Sequence, residues 1–265
     1  LLHAQLQPQR WYWQGPINAS QQQMQLDGTL RNDANLQFKL QAHYSNTKGL
    51  SLQAQLTELF LRSGNPLQSS FSAWPALLEL NNGRLNANAS LTLAVDQQLP
   101  SFNVELSGKG LGGIYDRTAL DGLDSRLQIQ VDPRHLQLEL RELRLAQANP
   151  GMPIGPVQLS GSYKAALQTP TQGQLQLQQA DAVLMGGKLS LKPGQWDLAA
   201  KSLRFPVQVQ GLQLEQLFIL YPTEGLAGTG TLDGHLPAQI SNQGVTIEQG
   251  YPAAREPGGR MQLGA

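Results

Sequence analysis

The residues that could do acid–base or metal chemistry are few and scattered. The four histidines, His3, His43, His135 and His235, share no His-x-His or His-x-x-x-His spacing. No two of them are therefore set on one local face as zinc ligands would be. There is no cysteine, which removes disulfides and thiolate ligation. No Gly-x-Ser-x-Gly elbow presents a nucleophile. Carboxylates sit at turn signals (Asp27, Asp33, Asp132, Asp181) or on polar strand positions (Glu139, Glu142). None is singled out as half of a glycosidase pair. Gly228-x-Gly230-x-x-x-Gly234 invites a nucleotide-loop reading. Its third glycine falls one residue late for the dinucleotide fingerprint, no long helix pattern follows, and no Gly-Lys-Ser/Thr occurs. Tight turning at a strand start accounts for these glycines. The expectation is a non-enzymatic protein with no metal and no cofactor.

Composition narrows the partners. The 265 residues carry 19 basic and 19 acidic side chains, for a net charge of +0. Charged residues make up 14%, against roughly 25% in ordinary domains. No Lys/Arg cluster has the density of a phosphate-backbone footprint, so nucleic acid is not an expected partner. Glutamine fills the gap, as in Gln174–Gln179 (QLQLQQ) and Leu127–Val131 (LQIQV). The chain opens Leu1-Leu2-His3 with no basic, apolar leader, which predicts a mature form or a piece of a longer protein. No run approaches about 20 apolar residues.

The elements that must position any site are strands. Leu36, Phe38, Leu40, Ala42 and Tyr44 alternate with polar residues, and Asn46–Gly49 turns the chain into Leu50–Leu56. Leu85, Ala87, Ala89, Leu91, Leu93 and Val95 share a face against Asn86, Asn88, Ser90 and Thr92. Leu127, Ile129 and Val131 lead through Asp132-Pro133 to Leu136 and Leu138. Leu175 with Leu177, and Val207 with Val209, repeat the pattern. Side chains alternate across a strand, so each segment reads as half-buried, in an antiparallel meander of about fourteen strands. Two short helices are expected. One is at Ser69–Leu80. The other is at 212–221, where Leu212, Leu214, Leu217, Phe218 and Leu220/Tyr221 make a stripe that Pro222 ends. Asn149–Pro156 is the strongest loop signal. It divides the chain into 1–148 and 149–265, as two segments or one continuous domain.

Such a sheet has one aliphatic face, which a closed barrel, a second sheet or a non-protein ligand must cover. The alternation alone leaves those three open. It also leaves open a β-rich scaffold with a protein-filled core. A polysaccharide-acting solenoid would need coil-length repeats and a carboxylate cluster, and neither is present.

One region carries a family resemblance. Gly211, Leu212, Leu214 and Leu217 precede Gly225, Gly228, Gly230, Leu232, Gly234, Leu236 and Pro237. Gly244, Val245, Ile247, Gly250, Ala254, Pro257, Gly258 and Gly259 follow. This string resembles the C-terminal region of YdbH-type proteins, AsmA-like relatives of TamB in the Gram-negative envelope. The resemblance implies a mostly β fold: an elongated, curled antiparallel sheet whose concave face is an apolar trough. It implies a periplasmic segment of a bridge-like carrier moving phospholipid between the inner and outer membranes, its parent anchored in the inner membrane outside this piece. It implies as partner a small outer-membrane lipoprotein of YnbE type, joined by strand addition near the C-terminal end. The trough wall is then expected at Leu85, Ala87, Ala89, Leu91, Leu93, Leu127, Ile129, Val131, Leu136, Leu138, Leu175, Leu177, Val207 and Val209. Gly225, Gly228, Gly230, Gly234, Pro237, Gly250, Pro257 and Gly258 form the structural motif.

Overall fold

A computed structural model describes residues 6–220, 226–241, 244–247, 251–255 and 258–263. The alternating segments become strands almost throughout. They are β1 (Trp11–Gln14), β2 (Ile17–Ala19), β3 (Gln23–Asn32), β4 (Gln37–Ser45), β5 (Gly49–Leu56), β6 (Leu59–Phe60), β7 (Leu78–Leu93), β8 (Ser101–Tyr115), β9 (Thr118–Val131) and β10 (His135–Asn149). They continue as β11 (Ile154–Ala166), β12 (Gln174–Leu184), β13 (Gly187–Leu191), β14 (Gly194–Asp197), β15 (Ser202–Gln213), β16 (Leu226–Thr229), β17 (Thr231–Ser241), β18 (Gly244–Ile247), β19 (Tyr251–Ala254) and β20 (Arg260–Leu263). Eighteen of them form one sheet, and β16 pairs with β20 in a second.

Pairing in the large sheet is antiparallel and follows chain order. Four pairs of short strands, β1 with β2, β5 with β6, β13 with β14 and β18 with β19, each lie along one side of a single neighbour. The sheet is therefore fourteen strands wide, from β1/β2 at one edge to β18/β19 at the other. Among the described residues those two edges do not pair, so the sheet stays open. It runs unbroken through the 149–156 loop, because β10 and β11 pair from His135↔Ala166 to Ala148↔Ile154.

Turn chemistry sets the registers. Gly49 has φ +81, and a Cβ there would lie 2.0 Å from the Leu93 carbonyl oxygen. Only glycine fits that turn. Asp132 Oδ1 accepts from Arg134 N and His135 N, each at 2.7 Å, closing the Asp-Pro turn between β9 and β10. Pro206 and Pro237 lie directly opposite each other in β15 and β17. Neither has an N–H to offer the ladder, so facing each other wastes no donor.

The helices differ from expectation. The segment expected as helix at Ser69–Leu80 is helical only to Ser70, within α1 (Pro66–Ser70). Its start signal lies earlier: Asn65 Oδ1 accepts from Leu67 N at 3.1 Å, and Pro66 occupies the first helical position. Pro75 disfavours helix at Trp74, and β7 has begun by Leu78. The helix expected at 212–221 is α2 (Leu214–Leu220). Leu212 and Gln213 stay in β15, held by pairing with Leu232 and Thr231 after a bulge at Gly211, φ +71.

The packed interior is small. Leu61, Leu80 and Leu111 form a buried cluster against Leu59, Trp74, Leu78, Leu85 and Leu123. There the segment between β6 and β7 folds over one end of β7–β9, and Trp74 Nε1 donates to the Leu78 carbonyl at 2.7 Å. The whole chain keeps 17640 Å² accessible, where a compact globule of its 28.8 kDa would expose about 11,000 Å². Substantial contacts between described elements join ladder neighbours, apart from the 3₁₀ turn Leu61–Ser63 against β7 and α2 against β16. The sheet is one layer.

Candidate functional site

Register turns the separate alternations into continuous rows. One row runs Leu26, Ala42, Leu52, Leu91, Phe102, Val131, Leu136 and Ala165 across eight neighbouring strands. The next runs Gly28, Leu40, Ala54, Ala89, Val104, Ile129, Leu138, Tyr163, Leu175 and Trp196. A third joins Ala87, Leu106, Leu127, Leu140, Gly161, Leu177 and Gly194. Residues directly opposite in an antiparallel pair share a face, so these rows lie on one side.

Bulges keep the later strands in phase. The extra residue Arg141 in β10 lets Leu143 and Leu145 return to the side that Leu140 occupies. Gln178 does the same in β12, between Leu177 and Ala180. Two further rows result: Leu143, Leu159, Ala180, Leu191, Val207 and Leu236; and Leu123, Leu145, Val157, Ala182, Leu189, Val209 and Gly234.

All fourteen residues expected in the wall stand on this face. Leu177 and Val209 are buried, and the other twelve are half-buried. Leu85 is a special case, since it packs against the covered Leu61–Leu80–Leu111 cluster and is partly roofed by protein. Sequence reasoning left out the whole β8 contribution, Phe102, Val104 and Leu106, which joins the β7 residues to those of β9. The same period-two alternation over Ser101–Leu106 carries that signal.

The reverse side is polar. On β9 and β10 its charges pair in short networks: Arg144 with Glu142 at 3.0 Å, Arg126 with Glu142 at 3.8 Å, and Arg141 with Glu139 at 3.5 Å. Hydrogen bonding from Gln179, then the Lys188 ammonium at 3.0 Å, holds the Asp181 carboxyl below its usual range. The three described histidines stay apart: His43 meets Gln25 at 3.2 Å, His135 meets Asp132 at 3.3 Å, and His235 lies opposite Gln208, while His3 lies outside the described residues. Among the described residues no three His, Asp or Glu gather as a metal site would require.

The glycine motif is an end piece. Gly230, φ +132, donates to Glu215 Oε1 at 3.2 Å, and its carbonyl accepts from Leu214 N at 3.0 Å. It thereby fixes the start of α2. Gly234 lies opposite Val209 and Pro252, Pro237 opposite Pro206, and Gly228 opposite Met261. Gly258 N donates to the Arg255 carbonyl at 2.8 Å. Gly225, Gly250 and Pro257 lie outside the described residues. Asp233 Oδ1 accepts from Gly211 N at 2.7 Å, and its carboxylate takes a two-pronged contact from Arg255 at 2.9 Å. Arg255 first and the Gly211 amide second keep the Asp233 carboxyl below its usual range.

Among the described residues no helix is long and apolar enough to cross a membrane. Comparison with curated proteins and with solved structures finds no match. A family model described as "YdbH-like: Intermembrane phospholipid transport protein YdbH" matches residues 1–264. With the open β-sheet and the motif residues already placed, that match spans nearly the whole chain, which belongs to the YdbH-like family of intermembrane phospholipid transport proteins.

Proposed function

We propose that the aliphatic face is a surface along which phospholipid acyl chains travel between the inner and outer membranes, headgroups held at its rim. The observation carrying this reading is the run of aliphatic rows across a fourteen-strand sheet over which the described elements lay no second layer. At about 4.8 Å per strand the face is roughly 65 Å long. Each lipid methylene taken from water contributes about 0.8 kcal/mol, so binding needs no specific polar site and lets the lipid slide.

The chain then works in the periplasm as a non-enzymatic segment of a bridge, with its parent anchored in the inner membrane. The β18/β19 edge is where a lipoprotein of YnbE type would add a strand, since an edge offers unpaired backbone groups. A protein-filled core finds its support, among the described residues, where Trp74 packs against the buried Leu61, Leu80 and Leu111.

Native mass spectrometry of the purified chain, followed by organic extraction, tests the reading. Phospholipid bound at near-stoichiometric amounts is expected. A clean ligand-free mass with a sharp cooperative melt would show the face covered by protein and overturn it.

A further inference from the structure

Two features of the polar face run against its own pattern. Phe60 stands on it, opposite Arg84, and is 53% exposed. Arg84 and Lys109 stand directly opposite each other on β7 and β8. Like charges in that position repel, and this chain otherwise spends few charges and pairs most of those on β9, β10 and β12. The repulsion is built in by a double bulge, with register shifts on both sides of Asn82 and after Gly108. Gly83, φ +97, and Gly110, φ +58, let the two backbones close up there; a Cβ on Gly83 would lie 2.5 Å from the Gly110 carbonyl oxygen. Bulges re-aim the side chains beside them.

The result is an open cleft of about 410 Å³ bordered by Phe60, Arg62, Asn82, Arg84 and Lys109. The Arg84 guanidinium sits 5.3 Å from the Phe60 ring centroid, and Arg62 Nε donates to Asn82 Oδ1 at 3.4 Å. Both guanidinium groups are thereby steadied beside Lys109. No carboxylate lines the cleft. Asp124 approaches from β9, and its Oδ1 accepts from Gly110 N at 2.7 Å.

We propose that this cleft binds a phosphate group. Two guanidinium forks and one ammonium match the several oxygens and the double charge of a phosphate. A single carboxylate would leave two of the three cations uncompensated. The site lies on the face opposite the aliphatic rows and does not depend on lipid occupying them.

The test titrates the whole chain with inorganic phosphate at low salt, by calorimetry and by melting temperature. It is repeated with vesicles of neutral phosphatidylcholine, with and without phosphatidylglycerol. Saturable binding is expected, weakening as sodium chloride rises and dropping about tenfold for each cation removed in R84Q and K109Q. K192Q, in the exposed turn between β13 and β14, should bind as the unaltered chain does. Phosphate should raise the melting temperature of the unaltered chain and not that of R84Q/K109Q. Without phosphate the double variant should melt no lower, because the repulsion is gone. Binding of phosphate with no preference for phosphatidylglycerol vesicles identifies a soluble phosphate. Binding of those vesicles, lost in the double variant, identifies a lipid headgroup. Absence of saturable binding to both probes, or equal binding by the double variant, overturns the proposal.

Discussion

Asn32 and Asp233 show how single side chains hold a sheet with so little interior. Asn32 is buried; its Nδ2 donates to Ser70 Oγ at 2.7 Å and its Oδ1 accepts from Leu36 N at 2.8 Å. It ties the β3–β4 turn to α1. Asn32→Ala would leave both partners buried without it, and should cost about 2–3 kcal/mol, read as a shift of the urea midpoint. An unchanged midpoint would show water replacing the amide. Asp233 acts through charge. Its folded-state carboxyl lies below the ordinary value of 3.8. Its stabilising contribution is thus complete above the unfolded value and is lost as pH falls through the folded one. Melting temperature measured from pH 6 to pH 2 should fall more steeply for the unaltered chain than for Asp233→Asn, which starts lower at pH 6. Parallel curves would remove Asp233 from the account. At this scale the Asp132-Pro133 and Asn46–Gly49 turns were legible, because their chemistry is local. The Asn32–Ser70 contact was not, since 38 residues separate its partners.

Strands were legible where period-two alternation is uninterrupted, as in Leu85–Leu93 and Leu127–Val131. They were cut short where a bulge inverts the phase. The sequence reading followed β10 only through Leu136 and Leu138, yet it continues to Asn149 after Arg141 resets the alternation. An inserted residue looks, in one dimension, like the end of a strand. The Ser69–Leu80 helix failed for a related reason: its apolar residues belong partly to a covering loop and partly to β7. The face assignment gives a paired prediction. Ile129→Asp places a charge among Val104, Leu138 and their neighbours on the aliphatic side, while Gln130→Asp places one on the polar side opposite Asn103 and Gln137. Ile129 is half-buried, so neither change should abolish the strands seen by circular dichroism. Ile129→Asp should remove most co-purifying phospholipid and Gln130→Asp should leave it. Equal retention in both would mean that lipid does not use this face. The same logic applies to Leu91→Asp, in the neighbouring row.

For the molecule as a whole, the alternation could not distinguish a sandwich from an open sheet, because each strand has the same pattern in both. What decides is whether anything lies over the aliphatic side, and that depends on register across all fourteen strands. The area follows from it. An unfolded chain of this mass exposes about 42,000 Å². Folding to 17640 Å² hides about 24,000 Å², where a compact domain would hide about 30,000 Å². The denaturant slope scales with hidden area, so the delipidated chain should unfold in urea with a slope about a fifth below that of a compact domain of equal length. Phospholipid bound to the aliphatic rows adds hidden apolar area to the folded state alone. Reloading with phospholipid should therefore raise the urea midpoint, and more so as lipid concentration rises. A full-sized slope that lipid leaves untouched would show that the chain closes its aliphatic face on itself in solution. The open sheet would then be one arrangement of a chain able to cover its own rows.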